Sequence, residues 1–128
     1  MTFLRNCLTS VALAALLGCT DSLSPENFYA DWGGEGARLI LSNTQARFET
    51  SCWAGDLAIP VQIEGKEMHA IGNLTSQGGA AGGSPETRAV ILVGHLEDDE
   101  LHLNVEFSSQ LGPYRLRRNQ AANIPGCP

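Results

Sequence analysis

The chain has 128 residues, enough for one ordinary domain, and carries a formal net charge of −6. Charged residues make up only 17% of the sequence, whereas 14 glycines and 6 prolines are many for this length, so short strands and turns are expected rather than helices. The single small basic cluster, Arg115, Arg117 and Arg118, is expected on a solvent face, and the absence of a basic patch interleaved with aromatic residues argues against nucleic acid as a partner.

The first 18 residues have the pattern of a secretory leader. Arg5 is followed by an uncharged run of 11 residues, Cys7 to Leu17, and a helix of that length spans about 16 Å. A bilayer core is about 30 Å thick, so the run is too short for a stable membrane span and matches the apolar region of a signal peptide. A buried helix of a cytosolic domain is the alternative.

The end of this run resembles the lipobox of bacterial lipoproteins. It reads Leu16-Leu17-Gly18-Cys19, a leucine, a second apolar residue and a small residue in front of a cysteine, although Leu17 is larger than the residue usual at its place. The resemblance implies that Cys19 receives a diacylglyceryl group and that a peptidase cuts between Gly18 and Cys19. Acyl chains on Cys19 then hold the protein to a membrane. A secretory signal without lipidation is the competing interpretation.

The same resemblance implies a location in the bacterial cell envelope. In Gram-negative lipoproteins an Asp after the lipidated Cys tends to retain the protein at the inner membrane, whereas this chain has Thr20. We therefore expect the periplasmic face of the outer membrane if the host has one. Cleavage leaves seven basic and fourteen acidic residues, so the acyl chains rather than the protein's charge must provide the attachment. Residues 19–27 are expected to be a lipidated tether, and residues 28–128 a single β-domain.

Two cysteines remain in this domain, Cys52 and Cys127. An even number of cysteines in an oxidising compartment predicts a disulfide bond. The bond would pin the C-terminal segment, which has little apolar surface of its own. The alternative, a reactive thiol or a metal pair, has no C-x-x-C spacing and no nearby histidine to support it.

The remainder of the chain predicts an antiparallel meander. Between Glu100 and Phe107, apolar and polar residues alternate, which indicates a strand with one wet side. The segment Arg88 to Leu96 is apolar on both sides and is interpreted as a more central strand that forms a hairpin with it. Because Pro60 has no N–H to donate, the run LAIPVQIE that contains it is expected to be an edge strand or a bulge. The further strand-sized runs are FYADW, ARLILS, ARFETSCW, LAIPVQIE, EMHAIGNL and PYRLRRN.

Seven or eight short strands in about 100 residues predict an all-β domain, either a small closed barrel or a two-layer sandwich. Closure removes exposed strand edges, so the barrel is favoured. Its architecture is loosely similar to that of lipocalins, a likeness of fold from which no function is carried over. The glycine-rich stretch Thr75 to Thr87 is predicted to be a flexible loop. The expected interior residues are Leu39, Leu41, Phe48, Ile91, Val93, Leu101, Leu103 and Phe107.

Motifs of catalysis or cofactor binding do not stand out. GGAAGG lacks the lysine and hydroxyl residue of a phosphate loop, and G-x-S-x-G is absent. The histidines, His69, His95 and His102, have no metal-binding spacing, although His95 and His102 flank one hairpin, so isolated surface histidines are expected. The acidic run Glu97 to Glu100 is expected to be a solvated hairpin tip rather than a calcium site.

These patterns predict a non-enzymatic envelope lipoprotein without a cofactor, whose domain binds a partner or makes a structural contact. One alternative is a carrier for a small apolar molecule, with Trp32 or Trp53 lining a pocket instead of plugging the barrel. The other alternative is an enzyme of unrecognised type.

Overall fold

The computed structural model describes residues 25–77, 84–107 and 111–127, and within these ranges it contains nine β-strands, one 3-10 helix and no α-helix. This confirms the all-β prediction, with nine strands in place of seven or eight. The predicted leader, its cleavage site and the lipidation site Cys19 lie outside the described residues. The elements are a 3-10 helix Pro25–Phe28 and strands β1 Ala30–Gly34, β2 Ala37–Leu41, β3 Ala46–Thr50, β4 Trp53–Asp56, β5 Gln62–Glu64, β6 Glu67–Ser76, β7 Thr87–Glu97, β8 Glu100–Glu106 and β9 Tyr114–Arg118.

Eight of these strands close into an antiparallel barrel, which confirms the barrel prediction. The strands follow one another around the ring in the order β4-β3-β2-β1-β9-β8-β7-β6, and β4 pairs with β6 to complete it. At this seam Ala54 lies opposite Thr75. The remaining strand, β5, pairs with the first residues of β6, where Ile63 lies opposite Met68. Except for this added strand, sequence neighbours are spatial neighbours, as in a meander.

The interior is filled by apolar side chains that alternate along the strands with outward residues. Leu39, Phe48, Leu101 and Leu103 are buried as predicted, as is Leu41, and Phe107 packs partly buried against this core. The largest fully buried side chains are Trp32, Phe28, Phe48, Leu39, Met68, Leu74, Leu92, Leu101, Leu103, Leu116 and Val90.

Strand β7 has the opposite phase from the one predicted. Val90 and Leu92 are buried, whereas Ile91 is 41% exposed and Val93 is only partly buried. The prediction that Ile91 and Val93 belong to the core is therefore wrong. A strand with apolar residues on both sides gives no phase, and a barrel strand has only one interior face. Strand β7 does pair on both sides, with β6 and with β8 in the predicted hairpin. A central position does not distinguish it, however, because all eight strands of the closed ring have two neighbours.

The two tryptophans lie at opposite ends of the barrel and fill it. The Trp32 indole N–H donates to the carbonyl oxygen of Phe28 at 2.9 Å, beneath the 3-10 helix. The Arg118 guanidinium lies 4.6 Å from the centroid of the Trp32 ring and donates to the carbonyl of Asn27 at 3.0 Å. At the other end, Trp53 packs edge-on against Phe107, with ring centroids 4.8 Å apart. Arg118 therefore covers Trp32 at one end of the barrel, whereas the sequence predicted that it would lie on a solvent face.

After β9 the chain returns along the outside of the barrel as a C-terminal strap, residues 119–127. Asn123 forms a parallel bridge with Glu35, and its N–H donates to the Gly34 carbonyl at 3.0 Å. A Cβ atom at Gly33 would overlap the carbonyl oxygen of Gln120, so the strap can cross β1 only over a glycine. The strap ends at Cys127, which forms the predicted disulfide with Cys52.

Two predicted boundaries differ from the structure. Strand β6 extends to Ser76 and β7 begins at Thr87, so the predicted loop is shorter, and the hydroxyls of Thr75 and Thr87 lie 3.0 Å apart within hydrogen-bonding distance. The run LAIPVQIE is not one strand, because only Gln62–Glu64 pairs as β5. Pro60 lies before it and has no N–H to give to a ladder.

The phase of β7 can be tested with a matched pair of substitutions. Leu92→Ala removes interior atoms and should lower the free energy of unfolding by about 2–5 kcal/mol. Ile91→Ala, one residue away on the outer face, should cost less than about 1 kcal/mol. Chemical denaturation of residues 20–128 measures both values, and equal losses would contradict the assignment of faces.

The disulfide closes a loop over a sequence separation of 75 residues. The double variant Cys52→Ala/Cys127→Ala should therefore lose about 2–5 kcal/mol of unfolding free energy, because its unfolded chain is no longer cross-linked. Denaturation with and without a reductant measures the effect. The reductant should destabilise the native sequence and leave the double variant unchanged; an equal response of both proteins would show that the bond contributes nothing.

Candidate functional site

The three histidines lie on the outer face of three neighbouring strands, β6, β7 and β8. His95 is directly opposite His102 across the β7–β8 pair, so the structure brings these two together. The Glu97 carboxylate joins them, with one oxygen 3.7 Å from His95 Nε2 and the other 3.9 Å from His102 Nε2. His69, on β6, lies 3.6 Å from the carboxylate of Glu67 instead. We call these groups, with Glu100, the histidine–glutamate belt.

Glu100 is the most strongly engaged carboxylate of the belt. One of its oxygens lies 2.9 Å from His102 Nε2, and the other lies 3.2 Å from the Arg117 guanidinium on β9. The hydrogen bond with His102, aided by the charges of Arg117 and Arg115, holds the pKa of Glu100 below its usual value, against a smaller opposing effect of desolvation. Among the described residues no group of three or more His, Cys, Asp or Glu side chains is placed to hold a metal ion. The arrangement is a network of surface contacts between histidines and glutamates, with one ion pair between Arg117 and Glu100.

An apolar patch lies beside the belt on the same outer face. Ile71 of β6 is 58% exposed and lies directly opposite Ile91 of β7. Ile59 is 46% exposed, and its neighbour Ala58 donates its N–H to the Ile71 carbonyl at 2.7 Å, which places the β4–β5 connection alongside β6. We call Ile71 and Ile91 the isoleucine patch; Ile59 instead lines a surface pocket with Thr44, Gln45 and Leu57. In the described ranges, Ile59, Ile71 and Ile91 are the exposed large hydrophobic side chains of the domain.

Charges on the opposite half of the barrel are matched in pairs. Arg38 lies 2.6 Å from Asp31 and 4.0 Å from Glu49, while Arg47 lies 3.0 Å from Glu49 and 3.3 Å from Asp56. This ladder of alternating sign crosses the outer face of β1 to β4. The hydrogen bond from Arg38 lowers the pKa of Asp31, so this carboxyl group stays ionised further into the acidic range.

The carboxylates near the isoleucine patch lack such cationic partners. Glu106 lies directly opposite Ile91, and Glu64 lies directly opposite Glu67. Within the described ranges, no lysine or arginine forms an ion pair with Glu64, Glu67, Glu97 or Glu106. Carboxylates without a lysine or arginine partner among the described residues therefore lie on the same face as the exposed Ile71 and Ile91.

Sequence reasoning missed this face, although one signal pointed to it. The stretch from Arg88 to Leu96 is apolar on both sides, and a barrel strand needs apolar residues on one side only. The outward Ile91 is thus unexplained by the core. The predicted histidines did prove to lie at the surface, but on adjacent strands and not in isolation.

The network around Glu100 predicts a pH dependence. A carboxyl group whose pKa is lowered by folding stabilises the protein above its ordinary pKa of 4.5, and this contribution disappears as the pH falls through the lower folded value. Glu100→Gln should therefore be less stable than the native protein near pH 7 and equally stable in strong acid, as measured by thermal unfolding. Asn104→Ala, on the same strand face, removes no titratable group, so as the control it should show a difference that does not vary with pH. The same constant difference for Glu100→Gln would refute the role of the ion pairs.

Comparisons with known proteins give no indication of the function. No family model, no curated protein and no solved structure matches this chain. Of the described helical residues, none belong to a helix long and apolar enough to cross a membrane. The function must therefore be argued from the N-terminal sequence pattern and from the two faces of the barrel.

Proposed function

We propose that this protein is a lipid-anchored, non-enzymatic binding domain of the bacterial cell envelope, attached through acyl chains on Cys19. In a host with an outer membrane, the domain lies on its periplasmic side. The leader supports this proposal through the order of its parts: a positive charge, an apolar run and Leu16-Leu17-Gly18-Cys19 before a polar stretch. The absence of Asp after Cys19 supports the outer membrane as the location.

The position of the first described element suits a short tether. The 3-10 helix begins at Pro25, six residues after Cys19. Six residues reach at most about 20–22 Å. The end of the barrel that contains Phe28 and Trp32 would therefore lie near the membrane, and the outer faces of the strands would remain open to the surrounding compartment.

The observation that carries the binding role is the contrast between the two faces of β7. Its inward residues complete a core in which Leu92 and Val90 are fully or almost fully buried, while its outward Ile91 remains 41% exposed beside Ile71. Exposed apolar area that the fold does not need is typical of a surface that contacts another molecule. Binding on the outside of the barrel is therefore favoured over the alternative of a carrier, because Trp32 and the core leucines occupy the interior and Trp53 packs against them.

The proposal contains no catalytic step. Exposed side chains on the outside of the sheet form the histidine–glutamate belt: His69 and His95 are each about half exposed. General acid–base groups work in concave pockets that exclude water and hold a substrate. A surface network of this kind is better suited to shaping the charge of a contact surface.

The anchor can be tested with one substitution and a matched control. Cys19→Ala should move the protein from the membrane pellet to the soluble envelope fraction, because the acyl chains provide the attachment. Cys7→Ala, a thiol lost with the leader, should leave the protein in the membrane. Mass spectrometry of the native protein should find an N-terminal Cys19 with a diacylglyceryl group; an unmodified mature N-terminus, or release of the native protein by a salt wash, would refute the anchor.

A further inference from the structure

We propose that the isoleucine patch and its neighbouring carboxylates form the docking surface for a cationic protein, one that presents an apolar side chain between lysines or arginines. This inference rests on the proposed function as a binding domain and specifies the chemistry of the partner. It depends on two observations that coincide on one face of the barrel, exposed apolar area and unmatched negative charge.

The apolar part of the surface is continuous. Ile71 and Ile91 are directly opposite each other on antiparallel strands, an arrangement that brings Cβ atoms to about 4.5–5.5 Å. Val93, the next outward residue of β7, is partly buried and extends the patch toward the belt, where it lies opposite His69. A partner can therefore cover both isoleucines with one apolar side chain or a small cluster.

The carboxylates beside the patch determine which charge the partner must carry. Glu106 lies beside Ile91, and Glu64 and Glu67 lie opposite each other on β5 and β6, all without a lysine or arginine partner among the described residues. By contrast, Arg38 and Arg47 on the opposite half are bound to carboxylates, and Arg118 lies over Trp32. These three arginines are held elsewhere, and among the described residues Lys66, in the β5–β6 turn, forms no ion pair with Glu64 or Glu67. We therefore infer that the partner supplies the complementary charge.

The same charges exclude the other occupants. Nucleic acid and anionic lipid headgroups would bring further negative charge to Glu64, Glu67 and Glu106. A second copy that docks through the same patch would place these carboxylates against their own counterparts, which is repulsive. A small polycation would satisfy the charges but leave the isoleucines uncovered. A cationic protein surface with an apolar centre satisfies both.

Site-specific photo-cross-linking in intact cells of the source bacterium tests this inference. We would place para-benzoylphenylalanine at Asn73, on the outer face of β6 two residues from Ile71, and at Ala121 on the strap as the control position. The strap crosses β1, which is diametrically opposite β6 in the ring of eight strands. Mass spectrometry of the cross-linked peptides would identify the partner and its contact surface.

The expected result is a protein adduct from Asn73, absent from Ala121, whose cross-linked surface is net basic. With the purified partner, Ile71→Ser should raise the dissociation constant about tenfold or more, and Glu67→Gln with Glu106→Gln should weaken the dependence of binding on salt. Ile40→Ser, the same change on the outer face of β2, should leave binding unchanged. Thermal unfolding would confirm that every variant is folded.

Several outcomes would overturn the inference. Adducts from Asn73 to lipid, to a second copy of this chain or to an acidic protein surface would each refute the cationic partner. Adducts from Ala121 alone would refute this face but leave the proposed binding domain intact. Adducts from neither position, in cells where Cys19→Ala still releases the protein, would refute the binding role while the anchor stands.

Discussion

Closure of the sheet is the constraint on which the rest of this structure depends. The β4–β6 and β1–β9 pairings complete the ring, and each strand then has one face toward a small interior and one toward solvent. The protein's own side chains fill the interior, with Trp32 toward one end and Trp53 at the other. Contacts with other molecules are thereby left to the outer surface, where the matched charges of β1 to β4 differ from the exposed isoleucines and unmatched carboxylates of β5 to β8.

The alternation of apolar and polar residues and the number of cysteines were enough to predict some parts of the fold. Alternation in Glu100 to Phe107 predicted the faces of β8 correctly, and cysteine number predicted the Cys52–Cys127 bond. Two features required long-range pairing and could not be read from neighbouring residues. From the sequence, Arg118 belongs to a surface cluster, and its contact with Trp32 follows only from the pairing of β9 with β1. Likewise, the need for a glycine at position 33 follows only from the strap that crosses β1 at that residue. Ile91 and Val93 were misplaced because a run apolar on both sides carries no phase.

The candidate site was less predictable, since its members come from separate strands. His69, His95 and His102 have no motif spacing, yet strand register places them on one face, and the β7–β8 hairpin sets His95 against His102. Among the described residues Glu64 and Glu106 have no lysine or arginine partner. This depends on which strands place the basic residues beside other carboxylates, which the sequence does not show. The lipid attachment is the reverse case, because the proposal comes from the order of residues 1–19 and owes nothing to the barrel.

If the domain is held by its N-terminus, as proposed above, the location of β1 has a mechanical consequence. The tether enters β1 through the 3-10 helix, and β1 is hydrogen-bonded along both edges, to β2 and to β9. Tension from the anchor acts nearly along the strand, so the bonds on both edges resist together in shear instead of opening one at a time. The Arg118 contacts with Asn27 and Trp32 clamp the point where that load arrives. With the proposed anchor and partner both in place, a pull between them would meet these bonds before the barrel could unravel from its N-terminal end.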